Sequence, residues 1–212
     1  MSAGESVARR NSRQRERIIA HQPAGLLPTI RSRCRELRLA TLSPADMAFA
    51  LEGAGLETGL DEQATAALST LSGGSVGAAA RLMQLEGLEI YAELVGIFQS
   101  LPQLDRPRVI RLADHFAMRG AEERLDLLLN LLETLLFRLA RAGVAGAASM
   151  QPAHPAEAEL FARLSPNAQA ARNWAKLSDS LLARARHGRA VNLDPAALIL
   201  DTFMRIQRSV AE

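Results

Sequence analysis

From residue 43 onward, apolar and polar positions follow helical periodicity, interrupted by glycine, proline and small polar residues. Ser43-Pro44 pairs an N-cap residue with a proline at the first helical position, and Asp46 falls in the first turn. The helix it opens runs to about Glu52 and stops at Gly53-Ala54-Gly55. A second begins near Leu60-Asp61 and ends at Ser72-Gly73-Gly74. Ser75 caps a third, with Val76, Ala79, Ala80, Met83 and Leu85 as its apolar positions. Together they predict a compact three-helix bundle over residues 43–86, with a joint at Gly87. Further helices are predicted near residues 88–99, 106–118, 122–142, 156–161, 167–186 and 195–208. Ser165-Pro166 and Asp194-Pro195 read as two more cap-plus-proline starts, and residues 143–155 as a loop of small residues.

The helix near residue 122 has an unusual pattern. Leu125, Leu128, Leu132, Leu135 and Leu139 form one stripe, and Leu127, Leu131, Leu136 and Phe137 widen it past a single face. A helix apolar over most of its circumference is covered on several sides, as the central helix of a domain or as a subunit contact. Ahead of residue 43 the texture differs. Residues 1–17 are polar and Arg-rich without apolar periodicity, which predicts a basic, disordered arm. Ile18–His21 reads as the end of a strand and Leu37–Ala40 alternates as a short strand would, with Pro23, Gly25 and Pro28 punctuating the interval.

Composition agrees with a helical fold. Hydrophobic residues make up 48% of the 212 and aromatics only 4%, with leucine and alanine dominant, which favours close-packed helices over sheets. Net charge is +2 but unevenly spread: residues 1–40 hold nine arginines and three glutamates, and the remainder holds 16 basic and 20 acidic groups. A basic arm on a mildly acidic body can touch phosphates or can simply be solvated. One cysteine, Cys34, excludes an internal disulfide and fits a reducing compartment. The four histidines make no metal-ligand spacing, so no metal site is expected. No signal-peptide core opens the sequence, and the leucine-rich stretch is too short and too charged to cross a bilayer, so a cytoplasmic location is expected.

The chemistry concentrates between Leu26 and Arg35, in Leu-Leu-Pro-Thr-Ile-Arg-Ser-Arg-Cys-Arg. Three guanidinium groups, Arg31, Arg33 and Arg35, follow a proline turn, and strand-like alternation would place them on one side. Each is always charged, forked and weakly hydrated, as a group entering a protein interface to meet a phosphate must be. Side-chain chemistry does not choose among the three.

Ser32-Arg33-Cys34, preceded by Pro28-Thr29-Ile30-Arg31, resembles the Ser-Arg-Cys motif of the AAA+ clamp-loader ATPases. The longer form from Leu26 is most similar to the delta-prime family of bacterial DNA polymerase III clamp-loader subunits. The resemblance is strong over residues 18–43, moderate over 43–86, and one of helical texture beyond 88. It implies that Arg33 acts in trans as an arginine finger on ATP and Mg held by a neighbouring subunit, with Thr29, Ser32 and Cys34 supporting the motif. It also implies a mainly α chain: a remnant of the AAA+ α/β lobe at 18–42, a three-helix lid at 43–86, and a helical collar for oligomerisation at 87–212. The implied partners are gamma/tau and delta clamp-loader subunits, with the sliding clamp and primed DNA reached through the complex. The chain would bind no cofactor and catalyse nothing alone, while belonging to an ATP-hydrolysing loader and a nucleotidyltransferase holoenzyme.

Two departures matter. Gly74-Ser75-Val76-Gly77 stands where hydrolysing members carry Gly-Ser-x-Arg, so Gly77 replaces the sensor-2 arginine, and Arg81 one turn later is a weak substitute. This fits a non-hydrolysing subunit. The sequence also has no Gly-x-x-x-x-Gly-Lys-[Ser/Thr], no acidic metal-binding strand and no zinc cysteines, so most of the family's nucleotide-binding lobe is expected to be missing. Other candidates are weaker. Asp61-Glu62 and Glu122-Glu123 sit at helix starts, where they suit the helix dipole. Tyr91 and Trp174 read as core or interface residues, and Cys34 with His21 makes no catalytic arrangement that spacing supports. The rival reading is a free-standing helical interaction protein with a basic nucleic-acid-binding arm and a leucine-rich dimer helix.

Overall fold

The computed structural model describes residues 25–35, 37, 40–56 and 59–211. The predicted arm at 1–17 and the strand end at 18–21 lie outside the described residues. Among those described there are ten α-helices and no strand, so the fold is mainly α. The chain divides into two compact units, residues 1–40 and 41–212.

The first unit contributes α1, Pro28–Arg31. Pro28 occupies the first helical position and no residue of α1 is buried. The second unit carries α2 (Pro44–Gly53), α3 (Glu62–Leu71), α4 (Val76–Gln84), α5 (Gly87–Gln99), α6 (Arg106–Phe116), α7 (Glu122–Ala145), α8 (Glu157–Leu164), α9 (Ala168–Ala190) and α10 (Pro195–Ala211). A single 3₁₀ turn, Ala147–Ser149, follows α7.

Most of these helices start where short polar side chains can satisfy their free amides. Ser43 Oγ accepts from Asp46 N at 3.2 Å and donates to the Asp46 carboxylate at 2.6 Å, closing a reciprocal cap on α2. Asp61 caps α3 through Ala64 N at 2.7 Å, and Ser75 caps α4 through Ala78 N at 3.4 Å. Asp105 and Asp194 cap α6 and α10, accepting from Arg108 N at 3.0 Å and Ala197 N at 2.9 Å. The α9 start differs from the sequence expectation. Asn167, not Ser165, is the cap, accepting from Gln169 N and Ala170 N at 3.0 Å each, while Ser165 is buried behind it.

α7 lies against α5, α6, α8 and α9. Leu125, Leu127, Leu128, Leu131, Leu132, Leu135, Leu136 and Leu139 are all buried, which accounts for its broad apolar surface within one chain. Phe137 and Val144 stay outside, 63% and 75% exposed. α9 runs antiparallel to α7: the Arg189–Asp126 ion pair joins the end of α9 to the start of α7, and Gly143 meets the start of α9. At Gly143 a β-carbon would lie 2.5 Å from Ser165 Oγ and 2.6 Å from Asn167 O, so only glycine permits this approach. Gly143 is thus an interhelical contact inside α7, which runs on to Ala145 instead of ending at the expected loop.

One continuous core runs from Met47 in α2 to Ile206 in α10. Gly87 is buried at the start of α5, with Leu82 packed where its side chain would be, so the expected joint is a close-packed corner. Phe98, Trp174 and Phe203 meet in this core at centroid distances of 6.0 and 6.4 Å, and the Trp174 indole donates to Leu164 O at 2.8 Å. Tyr91 and Trp174 are therefore core residues, as their positions in the sequence suggested.

Candidate functional site

The Arg31–Arg35 segment is built by one helical turn. Leu27 enters extended, with ψ of 137°, and Pro28 fixes the first helical φ. Ile30 N and Arg31 N both donate to Leu27 O, at 2.9 and 3.1 Å. Ser32 N donates to Pro28 O at 3.0 Å, and Arg33 N and Cys34 N both donate to Ile30 O at 3.1 Å. The Ser32 hydroxyl folds back onto Thr29 O at 3.2 Å.

This geometry corrects the strand-like reading of the three arginines. Alternation along an extended strand would align them, but residues 28–34 are wound into a helical turn, on which residues two apart, such as Arg31 and Arg33, do not share a face. Arg31 ends α1, where its charge complements the helix dipole. Arg33 lies in the turn that follows, and Arg35 beyond it. All three are exposed, and so are Thr29, Ser32 and Cys34. Leu37 and Ala40 carry no strand, while Arg38 and Leu39 lie outside the described residues.

Gly77, which the resemblance would set at the sensor-2 position, is equally plain. Gly77 is the second residue of α4, and a β-carbon there would meet nothing within 4 Å. Packing therefore does not require glycine at 77. Arg81, also exposed, is one turn further along the same helix. Behind the α3–α4 turn, Gly73 and Gly74 take positive φ of 59° and 75°. Leu42 N lies 2.6 Å from where a β-carbon of Gly74 would sit, and Ser69 Oγ donates to Leu42 O at 3.3 Å. The turn thus pins the chain where it enters the second unit's helices.

The carboxylate pairs do not form a site. Asp61 is a cap, Glu62 is exposed beside it, and Glu122 and Glu123 are exposed in the first turn of α7. No group of three metal-ligating side chains occurs among the described residues. No described helix is long and apolar enough to cross a membrane.

A charged cluster that sequence patterning did not find lies inside the second unit. Glu157, only 1% exposed, accepts from Arg138 Nε at 3.0 Å, Arg138 Nη2 at 2.6 Å, Ala153 N at 2.6 Å and the Tyr91 hydroxyl. Arg138 Nη2 also donates to Gln151 O at 2.7 Å, and its guanidinium lies 5.8 Å from the Phe161 ring centre. Burial and the adjacent Glu157 charge push the Tyr91 hydroxyl far above the usual phenol range, so it remains a donor. With its carboxylate oxygens engaged by four donors, Glu157 has no free lone-pair direction for chemistry. The cluster ties α5, α7 and α8 to the connection at 146–156. Its partners are 19 and 66 residues apart, beyond the reach of any local sequence signal.

No protein-family model matches the chain, and searches of curated proteins and of solved structures return no match.

Proposed function

We propose that this chain is a delta-prime-like clamp-loader subunit that supplies Arg33 to the ATP site of a neighbouring motor subunit. The observation that carries the reading is the run Leu26–Cys34, with Arg33 exposed on a turn held by backbone hydrogen bonds. In this role the guanidinium neutralises charge developing on the transferred γ-phosphoryl, an effect worth about 10³–10⁵ in rate in NTPases. Gly77 fits a subunit that contributes to a nucleotide site without turning over ATP of its own. ATP and Mg belong to the neighbour, the helices from α5 onward serve as the collar, and hydrolysis drives loading of the sliding clamp on primed DNA.

The test is reconstitution with cognate gamma/tau and delta subunits, comparing wild type with Arg33→Ala. Both chains should co-elute with the complex, and in single-turnover hydrolysis the ATP at one site should drop out only with the variant. Failure of the wild type to associate would overturn the proposal. The competing reading, a helical interaction protein with a basic arm, instead predicts salt-sensitive DNA binding that survives deletion of residues 19–42.

A further inference from the structure

We infer that a cavity beside the Arg138–Glu157 pair binds a small neutral molecule, one apolar ring bearing a carbonyl, independently of the function proposed above. The cavity has a volume of about 200 Å³ and lies between α7, the connection that follows it and α8. Buried Arg138, Glu157 and Phe161 line it with half-buried Met150, while Ala148, Pro152 and Ala158 form an exposed rim.

Its polar chemistry reduces to one group. Both Glu157 oxygens are engaged, Oε1 by Arg138 Nε and the Tyr91 hydroxyl, Oε2 by Arg138 Nη2 and Ala153 N. Arg138 Nε and Nη2 are in turn committed to Glu157 and Gln151 O. Nη1 makes no hydrogen bond among the described residues, yet it is not sealed in the interior. A guanidinium carries five N–H donors, two of them on this nitrogen. Arg138 is only 9% exposed and lines the cavity, so these two donors are what it offers an occupant.

Charge decides the acceptor. Glu157 already neutralises Arg138, so a carboxylate placed here would be a buried charge without a countercharge, which is strongly unfavourable. A neutral carbonyl takes the same donors without that penalty. Size decides the rest. An apolar cavity of about 150 Å³ holds benzene, so this one has room for a ring and one small polar group. The Phe161 ring centre is 5.8 Å from the Arg138 guanidinium, so one ring with an attached carbonyl can touch both.

Benzamide is the probe. Titrated into the 212-residue chain and followed by NMR, it should shift the Met150 methyl and Arg138 Nε–H signals. Half-saturation should fall on the order of 1 mM, as suits so few atoms. Ethylbenzene, which lacks the acceptor, should bind about ten-fold more weakly, and benzoate more weakly than benzamide. Ala158→Leu, at the rim and in a helix that leucine suits, should abolish the shifts without lowering the unfolding midpoint. Ala148→Leu fills the same cavity from the other side of the rim should that variant not fold. No saturable shift at ten times the expected concentration overturns the inference, and so does binding that both leucine variants leave intact. Ethylbenzene or benzoate binding as tightly as benzamide overturns the assignment of a neutral acceptor to Arg138.

Discussion

At the scale of single residues, Glu157 shows how much one side chain can hold. Its carboxylate is buried with Arg138 and Tyr91, and each partner comes from a different helix. Removing one member of such a pair leaves the other charge buried without compensation, a loss of about 3–5 kcal/mol. Glu157→Ala should therefore lower stability by about that amount in denaturant unfolding, with Arg138 the stranded group. Replacing Glu157 and Arg138 together by apolar residues should cost less than Glu157→Ala alone. The contrast with the Arg31–Arg35 segment is one of environment. Buried Arg138 is held by Glu157 and Gln151, whereas Arg33 is exposed on a turn held by backbone hydrogen bonds.

At the scale of elements, two glycines with opposite surroundings test the packing. Gly143→Ala should destabilise the chain by about 1–3 kcal/mol, because the added methyl enters space held by Ser165, Asn167 and Ala171. Gly77→Ala should stabilise it by about 0.5–1 kcal/mol, because the methyl meets nothing and alanine prefers the helix. Thermal melts of the two variants should move in opposite directions. Helix starts were legible in the sequence where a small polar residue and a proline or acidic first turn agreed, as at Ser43, Asp61 and Asp194, and at Ser75 where a small polar residue followed a glycine pair. The start of α9 misled because Ser165-Pro166 imitates the same signal, while Asn167 makes the hydrogen bonds. The end of α7 misled because glycines at 143 and 146 read as a loop. The first is an interhelical contact, and only the second, with φ of 87°, ends the helix. The arginine segment stood out in the sequence as a cluster of charge, but its geometry did not, since strand-like alternation and a single helical turn are hard to tell apart over so few residues.

At the scale of the whole molecule, the core of the second unit is continuous from α2 to α10. Trp174, the one tryptophan in the chain, sits in α9 and reports on that core. Leu51, fully buried in α2, should cost about 2–5 kcal/mol when changed to alanine. If the core unfolds as one cooperative body, Leu51→Ala should lower the Trp174 fluorescence midpoint and the far-ultraviolet circular dichroism midpoint equally. Separate midpoints would show that the helices of residues 43–86 melt independently of the rest.

α1 has a thermodynamic consequence of its own. With no fully buried side chain and only Ile30 partly covered, α1 gains little from the hydrophobic effect until a partner covers it. Fixing a backbone residue costs about 1–2 kcal/mol of conformational entropy, and for α1 short-range hydrogen bonds are the main offset. In the proposed assembly, part of the ordering of the arginine turn would then be drawn from the binding free energy of the neighbouring subunit. In that proposed assembly, contact at the arginine turn would be specific in geometry yet weak in affinity, so Arg33 would disengage readily while the helical body would carry most of the binding.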